Sequence, residues 1–201
     1  MEVDAPVEFY RSSERPYGLF SNLARRTIVV RGWTFPTVEH AYQSLKPRDL
    51  VTRAWLMAAP SPSILAVAAH VLPSEEADPA MLMGKVSDAL LGFHTRPGWS
   101  RLRYPWMMEC ILAKVEQHLD VRQLLLDTNE RDIVEAGRID DDAGRRWGRV
   151  NGRGANYLGR MLERARGLAG GVVKMDPDLD GRLEDGRQQL ETALRELAGR
   201  C

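Results

Sequence analysis

Trp33-Thr-Phe-Pro-Thr-Val-Glu-His-Ala-Tyr-Gln-Ser-Leu-Lys46 reads as a turn that delivers the chain into a helix. Gly32 closes an apolar, β-like run just ahead of it, and Thr37 offers a hydroxyl suited to an N-cap. On that helix Glu39, Gln43 and Lys46 recur at i, i+4 and i+7, so a carboxylate, an amide and an amine share one face while His40 and Leu45 point elsewhere. Two readings stay open for such a face. It is a solvated surface, or it is the wall of a pocket where an acid and an amine transfer protons or form an imine. Pro47 disfavours helical geometry at Lys46, which puts the ammonium at the helix end beside the last carbonyls.

Upstream, Val7–Tyr10 and the β-branched run Thr27–Arg31 read as two strands, expected to pair with each other across the intervening loop. That loop is punctuated by Pro16 and Gly18 and holds Leu19-Phe-Ser-Asn-Leu23, whose backbone amides and short polar side chains suit either a ligand contact or an Asx turn. Downstream, helical patterns cover Val51–Ala58, Ser63–Leu72, Ala80–Leu91, about Tyr104–His118 and Val121–Asp127, with a short strand at Arg131–Ala136. An acidic run, Asp140-Asp-Asp142, then precedes Trp147-Gly148 and the glycine-rich Asn151–Gly159 segment, which leads into a helix through Arg164. Glycines ahead of a helix present N–H groups to an anion, and a tryptophan beside them offers a face to a base. From Gly167 the composition shifts to a glycine-rich linker and a charged helix with Leu183, Leu190, Leu194 and Leu197 on one stripe.

The chain of 201 residues carries 28 basic and 28 acidic side chains, which removes the electrostatic drive for nonspecific binding to nucleic acid or an anionic membrane. A hydrophobic fraction of 44% suits one globular core. No apolar run approaches the roughly 20 residues of a membrane span or resembles a secretion signal, so no membrane association and a cytoplasmic location are expected. Cys110 and Cys201 lack metal-ligand spacing; no metal or cofactor is expected, and Cys110 reads as a core residue.

Several of these segments together resemble the NADAR (YbiA-like) family over about residues 8–166. The residues that carry the resemblance are Phe9-Tyr10, Tyr17-Gly18 and Phe20-Ser21-Asn22; Trp33, Thr37, Glu39-His40, Gln43 and Lys46; Ala113-Lys114 with Gln117-His118; and Trp147-Gly148, Gly152, Gly154, Asn156 and Leu158-Gly159. Such separated motifs are poorly explained by chance. The resemblance implies an α+β fold: a mostly helical single domain over residues 1–166 with a few short strands, followed by a C-terminal helical extension over 167–201 that offers a contact for an oligomer.

The resemblance further implies cleavage of a C–N glycosidic bond to ribose. Two substrate classes follow from the family: phosphorylated ribosylamino-pyrimidine intermediates of riboflavin synthesis, and ADP-ribosylated guanine, the latter bringing ADP-ribosylated nucleic acid as a partner. Glu39, Lys46 and Asp142 are the implied catalytic groups, with Asp142 the first choice from the run Asp140–Asp142. Tyr17, Gly18, Phe20, Ser21, Asn22, Trp147, Gly152, Gly154 and Asn156 are the implied ligand-binding groups. Lys46 serves either as a Schiff-base nucleophile or as a phosphate ligand, and Glu39 either shuttles protons or activates water. The alternative to an enzyme is an ADP-ribose or nucleotide sensor that keeps the cleft without turnover. Here Pro47 stands where the family usually has an aromatic residue, and Ala143-Gly-Arg-Arg146 separates Asp142 from Trp147.

Overall fold

Reversal of the chain at Arg31-Gly32 sets the first part of the fold. In the computed structural model, which describes residues 4–70 and 95–199, these two residues hold φ of 52° and 81°. Two successive positive φ values are what a two-residue hairpin loop requires. The loop joins β2 (Ile28–Val30) to β3 (Trp33–Phe35) in antiparallel register, with Ile28 opposite Phe35 and Val30 opposite Trp33. The start of the segment expected as a turn is therefore a strand. β1 (Val7–Phe9) does not pair with β2, contrary to the sequence expectation, but runs parallel to β4 (Ile133–Glu135), with Val7 opposite Ile133. Closing a local hairpin costs little chain entropy, so the nearby β3 takes the edge that β1 was expected to fill.

Thr37 then caps α1 (Val38–Ser44): its hydroxyl oxygen accepts the His40 backbone N–H at 3.2 Å. Every residue of this helix is buried. α2 (Leu50–Met57) and α3 (Pro62–His70) follow, while the helix expected at 80–91 lies outside the described residues. The central element is α4 (Trp99–Gln117), which begins ahead of the predicted Tyr104 and carries Pro105 inside it. Trp106 ties α4 to α1 by donating its indole N–H to the Ala41 carbonyl at 2.9 Å. At the far end, Gln117 exchanges two hydrogen bonds with the Val29 backbone, at 2.7 and 2.8 Å, and so acts as a side-chain extension of β2. His118, read as the last residue of this helix, is its C-cap and meets the Thr27 carbonyl at 2.7 Å.

α5 (Leu119–Leu126), α6 (Asp142–Trp147), α7 (Tyr157–Leu168) and α8 (Pro177–Ala198) complete the chain. α8 lies along α4. Its Leu190, Leu194 and Leu197 are buried in the same core as Trp106 and Ile111, and Leu183 packs against it, so the leucine stripe is covered by this chain. Pro105 has no N–H to offer the Arg101 carbonyl one turn back. Gly186 of α8 sits against that spot, where an added Cβ would stand 2.4 Å from the Arg101 oxygen.

Two glycine substitutions test this packing by thermal denaturation. A Cβ at Gly159 would lie 2.0 Å from the Ile133 carbonyl oxygen, between α7 and β4, so Gly159→Ala should cost about 1–3 kcal/mol or more. Gly181 has nothing within 4 Å, and Gly181→Ala should stabilise α8 by about 0.5–1 kcal/mol. Equal melting temperatures for the two variants would contradict the packing of α7 on β4.

Candidate active site

A cleft of about 1090 Å³ opens where four parts of the fold meet. Glu39, Gln43 and Lys46 form one wall from α1 and its C-terminal end. Tyr10 and Glu135 enter from the carboxyl ends of the parallel strands β1 and β4, the place where parallel sheets commonly present ligand-binding groups. Trp99, Arg103 and Met107 come from α4, and Asp142, Arg146 and Trp147 from α6.

The shared face of α1 is thus turned inward. Glu39 is 8% exposed, and its Oε1 accepts from the Gln43 side-chain amide at 2.8 Å. Gln43 Oε1 and Asn22 Oδ1 are buried with no hydrogen-bond partner among the described residues, although both residues line the cleft. Two such acceptors suit the hydroxyl donors of a sugar. Lys46 is half-buried just past the helix, and its Nζ donates to the Ala69 carbonyl of α3. Burial, then the guanidinium of Arg103, and after the opposing pull of Glu39 that of Arg146, push its pKa down to about 8. Its neutral fraction near pH 7 is therefore far larger than that of an ordinary lysine, as amine nucleophiles require.

Glu135 faces the same cleft. Burial, reinforced by the charge of Glu39, pushes its carboxyl up to about 7, which is where a general acid works best. Its position is fixed by Asn156, which holds a left-handed φ of 54°. Asn156 Oδ1 accepts the Glu135 N–H at 3.1 Å and its Nδ2 donates to the Ile133 carbonyl at 2.8 Å. Asn156 therefore acts as a side-chain strand beside β4, at the back of the cleft rather than on its lining.

Among the acidic run, Asp140 pairs with Arg145 at 2.6 Å on the exposed outer side. Asp141 caps α6 by accepting the Gly144 N–H at 2.6 Å. Asp142, one residue on, lines the cleft together with Asp141. Trp147 closes this wall edge-on to Tyr42, with ring centroids 5.5 Å apart, and tilted against Tyr104 at 5.9 Å. Of Arg145, Arg146, Arg149 and Arg153 around this segment, Arg146 reaches the cleft, whereas the other three are exposed outside it.

Other implied ligand groups stand behind the lining. Ser21 and Asn22 belong to the cleft, but Tyr17, Gly18 and Phe20 do not. Phe20 is fully buried, with its ring edge-on to Phe9 at 5.8 Å. Tyr17 stacks on Phe20 and accepts a hydrogen bond from Arg131 at 3.0 Å, and Gly18 sits inside the short 3-10 turn Tyr17–Phe20. Fully buried Lys114 fixes this turn by donating to the carbonyls of Leu19, Phe20 and Ser21 at 3.0, 3.1 and 3.2 Å. Gly152 and Gly154 shape the chain that leads to α7. With Asn151 at φ 50° and Gly152 at 75°, they close a two-residue loop in which Val150 and Arg153 exchange hydrogen bonds at 2.8 and 3.0 Å. Gly154 lets the chain pass close to Gly148, whose carbonyl oxygen an added Cβ would meet at 2.2 Å.

Glu135 and Arg103 are among the cleft groups that sequence reading missed. Glu135 left a trace, a carboxylate two residues from Ile133 and so on the same strand face as a fully buried side chain. Arg103 left none, because it precedes the position where α4 was expected to begin.

Comparison with known proteins gives a consistent result. A model of the NADAR domain matches residues 8–168. N-glycosidase YbiA of Shigella flexneri is 34% identical over 164 residues, covering 81% of this chain and 88% of that protein. Riboflavin biosynthesis protein PYRR, chloroplastic, of Zea mays is 26% identical over 172 residues, covering 83% of this chain and 26% of that longer protein. The NMR structure of the E. coli protein YbiA superposes with a TM-score of 0.65 at 30% identity, covering 85% of this chain and 88% of that one. With the domain matched over most of its length and a relative 34% identical along most of both sequences, this chain belongs to the NADAR family.

Proposed function

We propose that this chain is an N-glycosidase that hydrolyses the C–N bond of a phosphorylated ribosylamine through an imine on Lys46. The observation that carries this reading is the Lys46 amine, held in the cleft near Glu39 with its pKa brought down to about 8 by burial and by Arg103. An amine left in water would be almost wholly protonated at neutral pH and would not attack.

The cleft residues supply each proton the reaction needs. As the ribose ring opens, Glu39 passes the glycosidic N–H proton to O4′, leaving a C=N bond between C1′ and the base nitrogen. Neutral Lys46 adds to C1′. One Nζ proton of the adduct passes to the departing nitrogen and Glu135 gives it a second, so the base leaves as a neutral amine when the C1′–N bond breaks and Lys46 stays attached as a protonated imine. Water then adds to C1′ and returns a proton to Glu135, and breaking of the C1′–Nζ bond, with the new hydroxyl proton passing to Nζ, frees the sugar aldehyde and the neutral amine. Arg103 and Arg146 suit the substrate phosphate, the orphaned Asn22 and Gln43 oxygens suit ribose hydroxyls, and Trp147 and Asp142 suit the base.

Phosphorylated ribosylamino-pyrimidines are the favoured substrates. Arg149 and Arg153, which would have extended a basic track for nucleic acid, lie outside the cleft, and the chain has balanced charge. Likeness to a riboflavin biosynthesis protein of Zea mays points the same way. ADP-ribosylated guanine is the second substrate to test, since it presents the same bond.

Product release followed by mass spectrometry tests this reading with both compounds. Wild type should liberate the base from the ribosylamino-pyrimidine, and Glu39→Ala should slow that release by about 10²–10⁴-fold. Binding of both compounds with cleavage of neither would replace the enzyme by a sensor.

The pH profile carries a second prediction. Lys46 must be neutral, so the rate rises as pH climbs through about 8; Glu135 must hold its proton, so the rate falls as pH climbs through about 7. The product of the two fractions is a bell centred near about pH 7.5. Glu135→Gln should lower kcat by about 10²–10⁴-fold and remove the falling limb. A bell that survives in this variant would take the general-acid role away from Glu135.

A further inference from the structure

We propose that α8, which lies beyond the span shared with the family, braces the Lys46 amine through Arg96 and is a positioning element for the reaction. This rests on the reading of Lys46 as the reacting amine. Lys46 belongs to no regular element: α1 ends at Ser44, and Pro47 has no N–H with which to anchor the segment. One residue supplies the missing anchors. The Arg96 backbone N–H donates to the Lys46 carbonyl at 2.8 Å. Its guanidinium donates to the Leu45 carbonyl at 3.1 Å and the Pro47 carbonyl at 3.5 Å. Three consecutive carbonyls around the amine are thus held from a single point, next to the bridge between Pro47 and Thr95.

The remaining arm of the fork reaches α8, where Glu196 accepts from Nη1 at 2.9 Å. Glu196 sits between Leu194 and Leu197, both buried in the core, so the carboxylate is carried on a firmly seated turn. The Arg96 side chain is 6% exposed and that of Glu196 52%. An ion pair with one exposed partner contributes little by itself. Most of the positioning therefore comes from the buried guanidinium and its carbonyl acceptors, with Glu196 setting the direction of the fork. Among the described residues, the groups that face the Lys46 amine are Glu39 from α1, Arg103 from α4, Arg146 from α6 and the Ala69 carbonyl of α3.

A readout of the amine itself separates bracing from general stability. Acetic anhydride labels only neutral amines, so the pH dependence of Lys46 labelling, followed by peptide mass spectrometry, reports its ionisation without turnover. In Arg96→Met the loosened segment should reach water, and the labelling midpoint should rise by about one unit or more toward the ordinary lysine value. The same variant should lower kcat by about tenfold or more, with a smaller change in KM. Glu196→Gln, which keeps Arg96 in place, should move the midpoint in the same direction by less, and it serves as the decisive variant if Arg96→Met does not fold. Val121→Ala, at a fully buried core position of α5, is the control, lowering Tm without moving the midpoint. An unchanged midpoint in the brace variants overturns the proposal, as does an equal shift in Val121→Ala. A raised midpoint with unchanged kcat would support the brace and reject Lys46 as the reacting amine.

Discussion

Burial of α1 on all sides is the constraint from which the rest of the structure follows. The helix carries Glu39 and Gln43 into the protein, with Lys46 just past its end, and polar groups removed from water destabilise a fold unless they find partners. Part of that cost is offset internally, by the Gln43 to Glu39 hydrogen bond and by the Trp106 indole on the Ala41 carbonyl. The rest persists as chemistry. Lys46 is left with a lowered affinity for its proton and Glu135 with a raised one, so one carboxyl and one amine are both brought close to neutrality in the same cleft.

Around this helix, groups that look like ligand contacts hold the walls in place. Lys114 gathers three successive carbonyls under Ser21 and Asn22. Asn156 takes the part of a neighbouring strand for β4 and so aims Glu135. Arg96 collects the carbonyls around Lys46. In each case one side chain replaces a stretch of secondary structure, and the element that it steadies ends in a cleft residue.

This division explains what the sequence disclosed. The helix starting at Thr37, the face shared by Glu39, Gln43 and Lys46, the strands at 7–10, 27–31 and 131–136 and the buried Cys110 were legible, because caps and periodicity are local signals. Strand pairing was not, since the choice between β2 and β4 as partner for β1 depends on contacts far apart in sequence. Motif resemblance brought Gly152, Gly154 and Asn156 to notice without separating residues that touch a ligand from residues that shape the loop; the positive φ values and side-chain hydrogen bonds make that separation. Glu135 and Arg103 became visible only when the walls were assembled.

The imine on Lys46 is the central claim, and borohydride added during turnover tests it most directly. Reduction should fix the sugar phosphate to the protein through a stable amine, and peptide mass spectrometry should locate the added mass on Lys46, with no adduct in Lys46→Ala. Continued turnover of the wild type with no trapped sugar would contradict the imine and leave direct attack by water on C1′.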